Sequence, residues 1–276
     1  MQDRAPSPGT QQGDSALLRE ARHEAVAVLT LERPEARNSL SLDMLAALQA
    51  AIDRLSGDRD VRAVVLAATG TAFCAGHDLK ELIARRADPD GGRAFYTLTM
   101  ERCATVMTSI MRSPKPFIAA VEGVATAAGC QLVATCDLAV AGAAAKFATP
   151  GVDIGLFCST PMVALSRNVP RKRAMEMLLL GELLGAREAA DYGLVNRVVA
   201  EGAALDAALD LGRIIASKSA ATIRIGKEAF YAQIERPVAD AYAYASDVMV
   251  RNMMHRDAEE GIGAFVEKRQ PAWKGD

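Results

Sequence analysis

Two short stretches of this chain bring together residue types that could do chemistry. In Phe73-Cys74-Ala75-Gly76-His77-Asp78-Leu79 a thiol, an imidazole and a carboxylate lie close together in one loop. Ala125-Thr126-Ala127-Ala128-Gly129-Cys130-Gln131-Leu132 is nearly free of bulk just where a loop gives way to a helical pattern. Small residues at such a junction let a ligand approach the backbone, where the first N–H groups of a helix have no internal partner. Cys74-x-x-His77 offers two metal-ligand types where a site usually needs roughly three or four, so it reads as a buried thiol and a loop histidine, and no metal is expected. An A-G-x-D loop alone is ordinarily a turn. Arg171, Lys172 and Arg173 read as a solvated helix face, and the Met and Leu positions between 100 and 111 as core.

The surrounding elements follow from periodicity. Ala25 to Leu31 is β-rich and ends at Arg33-Pro34, so it reads as the first strand. Ser41 caps a run in which Met44, Leu45, Leu48, Ala51, Ile52 and Leu55 recur at helical spacing until Gly57. Val61 to Ala68 gives a second strand, and a helix follows from Leu79. Residues 92–112 are helical up to Pro114 and Pro116; Phe117 to Val121 and Leu138 to Ala141 are strands. Thr149-Pro150-Gly151 is a turn, and Pro161 sits near the start of a helix. From Ala203 the pattern is almost wholly helical, with apolar positions such as Leu205, Leu209 and Ile214 that call for a cover. Alternating strands and helices predict a layered α/β (α+β) fold. The expected organisation is a disordered tail over 1–16, a core over 17–200 and a helical oligomerisation region over 201–276.

With 276 residues and a net charge of −2, bases interspersed with acids, the chain shows no sign of a nucleic-acid partner. Its apolar runs fall short of the ~20 residues of a membrane helix, so no membrane partner is expected. The beginning, MQDRAPSPGTQQGDS, reads as neither a secretory signal nor an Arg-rich transit peptide. Five cysteines with no C-x-x-C pair point to reduced thiols, and the expected location is cytoplasmic.

Arg33-Pro34-x-Ala36-Arg37-Asn38-Ser39-Leu40, the Phe73 to Leu79 loop, Pro116 through Gly129-Cys130-Gln131-Leu132 to Cys136-Asp137, and the ending Phe265-x-Glu267-Lys268-Arg269-x-Pro271-x-Trp273 together resemble the enoyl-CoA hydratase/isomerase (crotonase) superfamily. The run Gly151 to Pro161 resembles one branch of it. The resemblance implies a spiral of strand-strand-helix turns with a C-terminal helical trimerisation region. It implies an acyl-CoA substrate and no cofactor besides it, and a homo-oligomer, a trimer or a dimer of trimers. It also implies an oxyanion hole, formed here by the backbone N–H groups of His77 and Ala128. Coenzyme A would then lie against Arg37, Ala75, Asp78 and Leu79, with Phe265 and Lys268 reaching the nucleotide of a neighbouring subunit.

The sequence departs from the family where hydratases carry two glutamates. Gln131 stands at the first position and Gly151 at the second. A glutamine amide cannot take a proton from water at neutral pH and glycine offers nothing, so hydration is expected to be weak or absent. Asp153 and Ser159 are the alternative acid–base candidates in the segment that follows. Two readings stay open: an enzyme running another enolate reaction such as isomerisation or decarboxylation, and a non-catalytic acyl-CoA binder serving regulation or assembly.

Overall fold

The computed structural model describes residues 17–275. Among these the strands form two sheets. The larger runs in the order β1 (Leu18–His23), β2 (Val26–Leu31), β3 (Ala63–Ala68), β5 (Phe117–Val121), β7 (Leu138–Gly142), β10 (Arg197–Val199), parallel throughout except for the β1–β2 hairpin. The smaller joins β4 (Ala72–Cys74), β6 (Val124–Thr126), β8 (Lys146–Ala148) and β9 (Leu184–Gly185). The helices are α1 (Leu42–Gly57), α2 (Leu79–Ala84), α3 (Arg93–Arg112), α4 (Ala128–Thr135), α5 (Pro161–Asn168), α6 (Arg171–Leu180) and α7 (Ala186–Asp191), followed by α8 (Ala204–Ala216), α9 (Ala220–Gln233), α10 (Val238–Met253) and α11 (Arg256–Val266). The tail expected over 1–16 lies outside the described residues.

A parallel sheet is stable when both faces are covered, and the central strands are accordingly apolar at nearly every position. Ala27, Leu29 and Leu31 of β2, Val64 and Leu66 of β3, and Phe117, Ala119 and Val121 of β5 face the cluster built with α1, α3 and α4. Their alternates Val26, Val28, Val65, Ile118 and Ala120 face Ala204, Ala208, Leu209 and Leu211 of α8. The first helix after residue 200 is therefore a wall of the core, although the sequence pattern groups it with the oligomerisation region. Gly212 is what lets it lie down: a Cβ there would come within 2.9 Å of Val26 Cγ1. The first strand also starts earlier than expected, because Leu18–His23 pairs back onto β2 through the turn at Glu24.

Helix ends obey local chemistry. Ser41 Oγ accepts the Met44 N–H at 3.2 Å, capping α1 as its position predicts. The C-terminal helices are anchored by a half-buried network: Lys227 Nζ on α9 donates to Asp137 Oδ2 at 2.7 Å and to the carbonyls of Ile110 and Lys115, while Tyr231 donates to Asp137 Oδ1 at 2.9 Å. Burial pushes the Lys227 amine down and the Asp137 carboxylate opposes it.

Asn38 ties the first loop to the sheet. It is fully buried at φ +52°, a left-handed conformation that asparagine tolerates better than most residues. Its Oδ1 accepts the Arg33 N–H, and its Nδ2 donates to the carbonyls of Thr69 and Ala72, each at 2.8 Å. Asn38→Ala strands three backbone groups, one buried and two half-buried, and stability measured by urea unfolding should fall by on the order of 2 kcal/mol with the slope unchanged.

Candidate active site

The site is built where three chain segments are knitted together. Residues 37–40 run beside 75–78 as a short parallel pair: Ala75 donates to the Arg37 carbonyl at 3.0 Å, Leu40 to Gly76 at 2.7 Å, and Asp78 to Leu40 at 3.3 Å. In such a pairing Gly76 and Asp78 direct their groups at Leu40, so the His77 N–H faces the opposite way. The third segment is the start of α4. Thr126 Oγ1 donates to the Ala75 carbonyl at 3.1 Å, and a Cβ on Gly76 would meet Ala127 Cβ at 2.9 Å and Ala128 N at 3.4 Å. Gly76, at φ +100°, is thus required both by its conformation and by this approach.

Ala127 is held at φ +51° and ψ −119°, a strained conformation for a residue with a side chain. Its N–H reaches the Ala148 carbonyl at 2.9 Å, and the turn lets α4 begin at Ala128. Neither the His77 N–H nor the Ala128 N–H has an acceptor among the described residues. Two buried side-chain atoms of the same region, His77 Nε2 and Thr149 Oγ1, likewise lack a partner among the described residues. Unsatisfied buried groups cost about 1–3 kcal/mol each, and their gathering here marks a place built for something besides stability.

The His77 imidazole is more than a bystander to its backbone. Nδ1 lies 3.3 Å from the Leu40 carbonyl, which selects the Nδ1–H tautomer, and burial holds the ring's pKa below its ordinary value. Asp78 is already engaged: it caps α2 through the Lys80 and Glu81 N–H groups and pairs with Arg33 Nη1 at 2.9 Å. That Arg33 pairing is a feature the sequence reading missed. Leu79 and Arg37 are exposed and Ala75 is half-buried, so these three are available to a ligand. Phe265 and Lys268 stand far along the chain at the end of α11, with Phe265 85% exposed.

The two glutamate positions differ in kind. Gln131 is buried on α4, with Cys103 Sγ 4.0 Å from its Oε1. Gly151 lies in a 3-10 turn, Pro150–Ile154, where a Cβ would meet the Leu156 carbonyl at 2.8 Å and Cys158 Sγ at 2.9 Å. Asp153 is exposed and its Oδ2 lies over Gly181 at the end of α6. Ser159 is exposed and donates to the Phe157 carbonyl at 3.3 Å, with no base recorded on its hydroxyl among the described residues. Cys74 and Cys130 are pushed up to about 12 by burial, which makes a thiolate role costly. Among the described residues no three potential metal ligands converge.

Comparison with known proteins agrees with this architecture. Residues 21–276 match the family model described as enoyl-CoA hydratase/isomerase. The chain is 45% identical over 245 residues to the human protein named "Enoyl-CoA hydratase domain-containing protein 3, mitochondrial", covering 89% of this chain and 79% of that one. It is 38% identical to a "Putative enoyl-CoA hydratase" of Thermus thermophilus, covering 89% of this chain and 96% of that one. A crystal structure of enoyl-CoA hydratase from Mycobacterium smegmatis superposes with a TM-score of 0.89 at 54% identity, covering 93% and 98% of the two chains. The branch seen in the run Gly151 to Pro161 is thus the domain-containing protein 3 type. The expected cytoplasmic location is corrected by the same findings, since the human, rat and mouse relatives of that type are named mitochondrial.

Two outcomes follow from the site's geometry. Folded His77 binds a proton less readily than the unfolded chain, so its contribution to stability is complete above the ordinary value of 6.5 and declines as pH falls through the folded value. NMR should place its titration midpoint below 6.5, and His77→Gln should flatten the acid side of the stability profile. Gly151→Glu should lower the melting temperature by several degrees, because the 156–158 segment must move to admit any Cβ.

Proposed function

The chain belongs to the enoyl-CoA hydratase/isomerase family, and on that footing we propose that it binds an acyl-CoA thioester and stabilises the enolate formed from it. The observation that carries this reading is the strained Ala127, which opens α4 against the Gly76–His77 loop with two backbone donors left free. In the proposed complex the thioester oxygen accepts from His77 N–H and Ala128 N–H. Negative charge builds on that oxygen as the enolate forms, and each preorganised donor is worth ~10²–10³ in rate.

What the site lacks narrows the reaction. Hydration and double-bond isomerisation both need a group that removes a proton, and here Gln131 is neutral and Gly151 has no side chain. Decarboxylation of a 2-carboxyacyl thioester needs none. The bond from C2 to the carboxylate carbon breaks, its electron pair enters the enolate held by the two N–H groups, carbon dioxide leaves, and water returns a proton to C2. Enolate chemistry of this class is the reading that the residues support best. Arg37, exposed and without an ion-pair partner among the described residues, suits the coenzyme's phosphates, while Ala75 and Leu79 suit its adenine. Asp78 acts in this reading by holding the loop.

The assembly proposed is a homo-oligomer formed through α9 to α11. Met254, Tyr242, Phe265 and Val266 are all at least 74% exposed, an apolar surface that a second copy would cover. Phe265 and Lys268 would then serve the neighbouring subunit's coenzyme.

Turnover assays with a short 2-carboxyacyl-CoA and a short 2-enoyl-CoA test the reading. The first should give the decarboxylated thioester, and hydration of the second should run far below an ordinary enzyme turnover of ~10 s⁻¹. Coenzyme A binding without turnover of either would point to the non-catalytic binder instead. Ala128→Pro removes one donor and should cost at least about 10²-fold in turnover, its melting temperature read alongside because a following proline disfavours the Ala127 conformation, whereas His77→Ala keeps its N–H and should cost far less. Phe265→Asp should shift sedimentation toward monomer.

A further inference from the structure

A cavity of about 640 Å³ opens at the N-terminal ends of the parallel strands, between the end of α1, the entry to β5 and the first turn of α9. The candidate active site lies beyond the opposite ends of the same strands. A strand of this length separates the two by ~17–20 Å.

The cavity wall carries Arg59, Arg62, Lys115, Arg224 and Lys274, and no carboxylate among the described residues. Arg62 gives one N–H to the Lys218 carbonyl at 2.6 Å. The charged ends of the other four have no hydrogen-bond or ion-pair partner among the described residues. Three acids near the cavity are occupied elsewhere. Asp58 is paired with Arg22; Asp257 accepts from Ser219 and from the N–H groups of Lys274 and Gly275; Glu260 is paired with Arg269. Crowding is felt within the cluster, where burial and the neighbouring Arg62 push the Lys115 amine down against the opposing pull of Asp58.

Like charges gathered around a hollow are unfavourable until an anion enters. The α9 helix adds to the attraction, since its first residues Ala220 and Ala221 line the cavity while the Ser219 hydroxyl takes the Thr222 N–H. The volume falls within the ~300–1,000 Å³ of small-molecule sites and is far larger than a single phosphate needs. We propose that this cavity is a second ligand site, separate from the thioester site, for a small polyanion bearing adjacent phosphate groups. Guanidinium groups suit such a ligand because their paired N–H groups match phosphate oxygens.

Calorimetric titration of the full chain with inorganic pyrophosphate, and separately with ADP, tests this. Pyrophosphate should bind, and the double variant Arg59→Gln/Arg224→Gln should weaken it at least tenfold while Arg37→Gln leaves it unchanged. Both arginines of the double variant are exposed and unpartnered, so its melting temperature should match the wild type; Lys274→Gln serves as a second variant should it not. ADP binding that the double variant also weakens would show that the site takes the diphosphate within a nucleotide; pyrophosphate binding alone sensitive to that variant would restrict it to the free anion. Absence of binding by both probes, binding insensitive to the cavity variants, or loss confined to Arg37→Gln would overturn the proposal. The last of these would assign the anion to the coenzyme's place and leave the thioester reading standing.

Discussion

The first turn of α4 is pressed directly onto the end of β4, and the site exists because of that contact. A side chain at Gly129 would collide with the Cys74 carbonyl, and one at Gly76 would crowd Ala127. Two backbones can approach this closely only where Cβ atoms are missing. The approach fixes where α4 starts and forces Ala127 into a left-handed turn. It also brings the loop after β4 beside the helix N-terminus. The strain at Ala127, on the order of 1–3 kcal/mol, persists because the surrounding sheet determines it. Its N–H is tied to β8, and the residues just before it are paired in β6.

The larger sheet makes that arrangement affordable. Its central strands are buried on both faces, with α8 covering the side away from the site. Lys227 and Tyr231 then secure α9 through Asp137, just after α4 ends. Breaking one partner of a buried pair typically costs ~3–5 kcal/mol, because the remaining charge is left without a counterpart. The C-terminal helices are therefore held to the core at α9 while α10 and α11 present apolar side chains outward. One region so serves two ends, a fixed base and an open surface.

Long amphipathic elements were legible in the sequence because periodicity accumulates over many residues. Ser41 and Gly57 bracket α1 as expected, and Arg93–Arg112 matches the run that ends before Pro114. The strands β4, β6 and β8 span three residues each, too few for any period to show, and Val124 to Thr126 reads as a loop until β4 and β8 are placed on either side. Pairing is likewise invisible along the chain. Asp78 carries the signature of a helix cap, but its partner Arg33 is 45 positions earlier. Asn38 was visible as part of a motif, while the three backbone groups that it satisfies were not. The backbone donors are harder still to foresee, since any residue has an N–H and only the fold decides which are left unspent.

Gln131 and Gly151 look alike in sequence, as two missing carboxylates, yet the structure separates them. Gln131 keeps a side chain of nearly glutamate's size on the helix beside Cys130 and Cys103, so a carboxylate there would change charge more than shape. At Gly151 the space for a side chain is gone. The Leu156 carbonyl and Cys158 sulfur occupy it. A glutamate at this position requires a different path for residues 156–158, so the second acid–base group is excluded by the backbone rather than merely absent from it. The donors at His77 and Ala128 depend on other contacts, those of the β4 loop with α4, and are untouched by this change. In the proposed reading, chemistry at such a site draws on the stabilisation of charge at the thioester oxygen and on bonds within the substrate that break without a protein base.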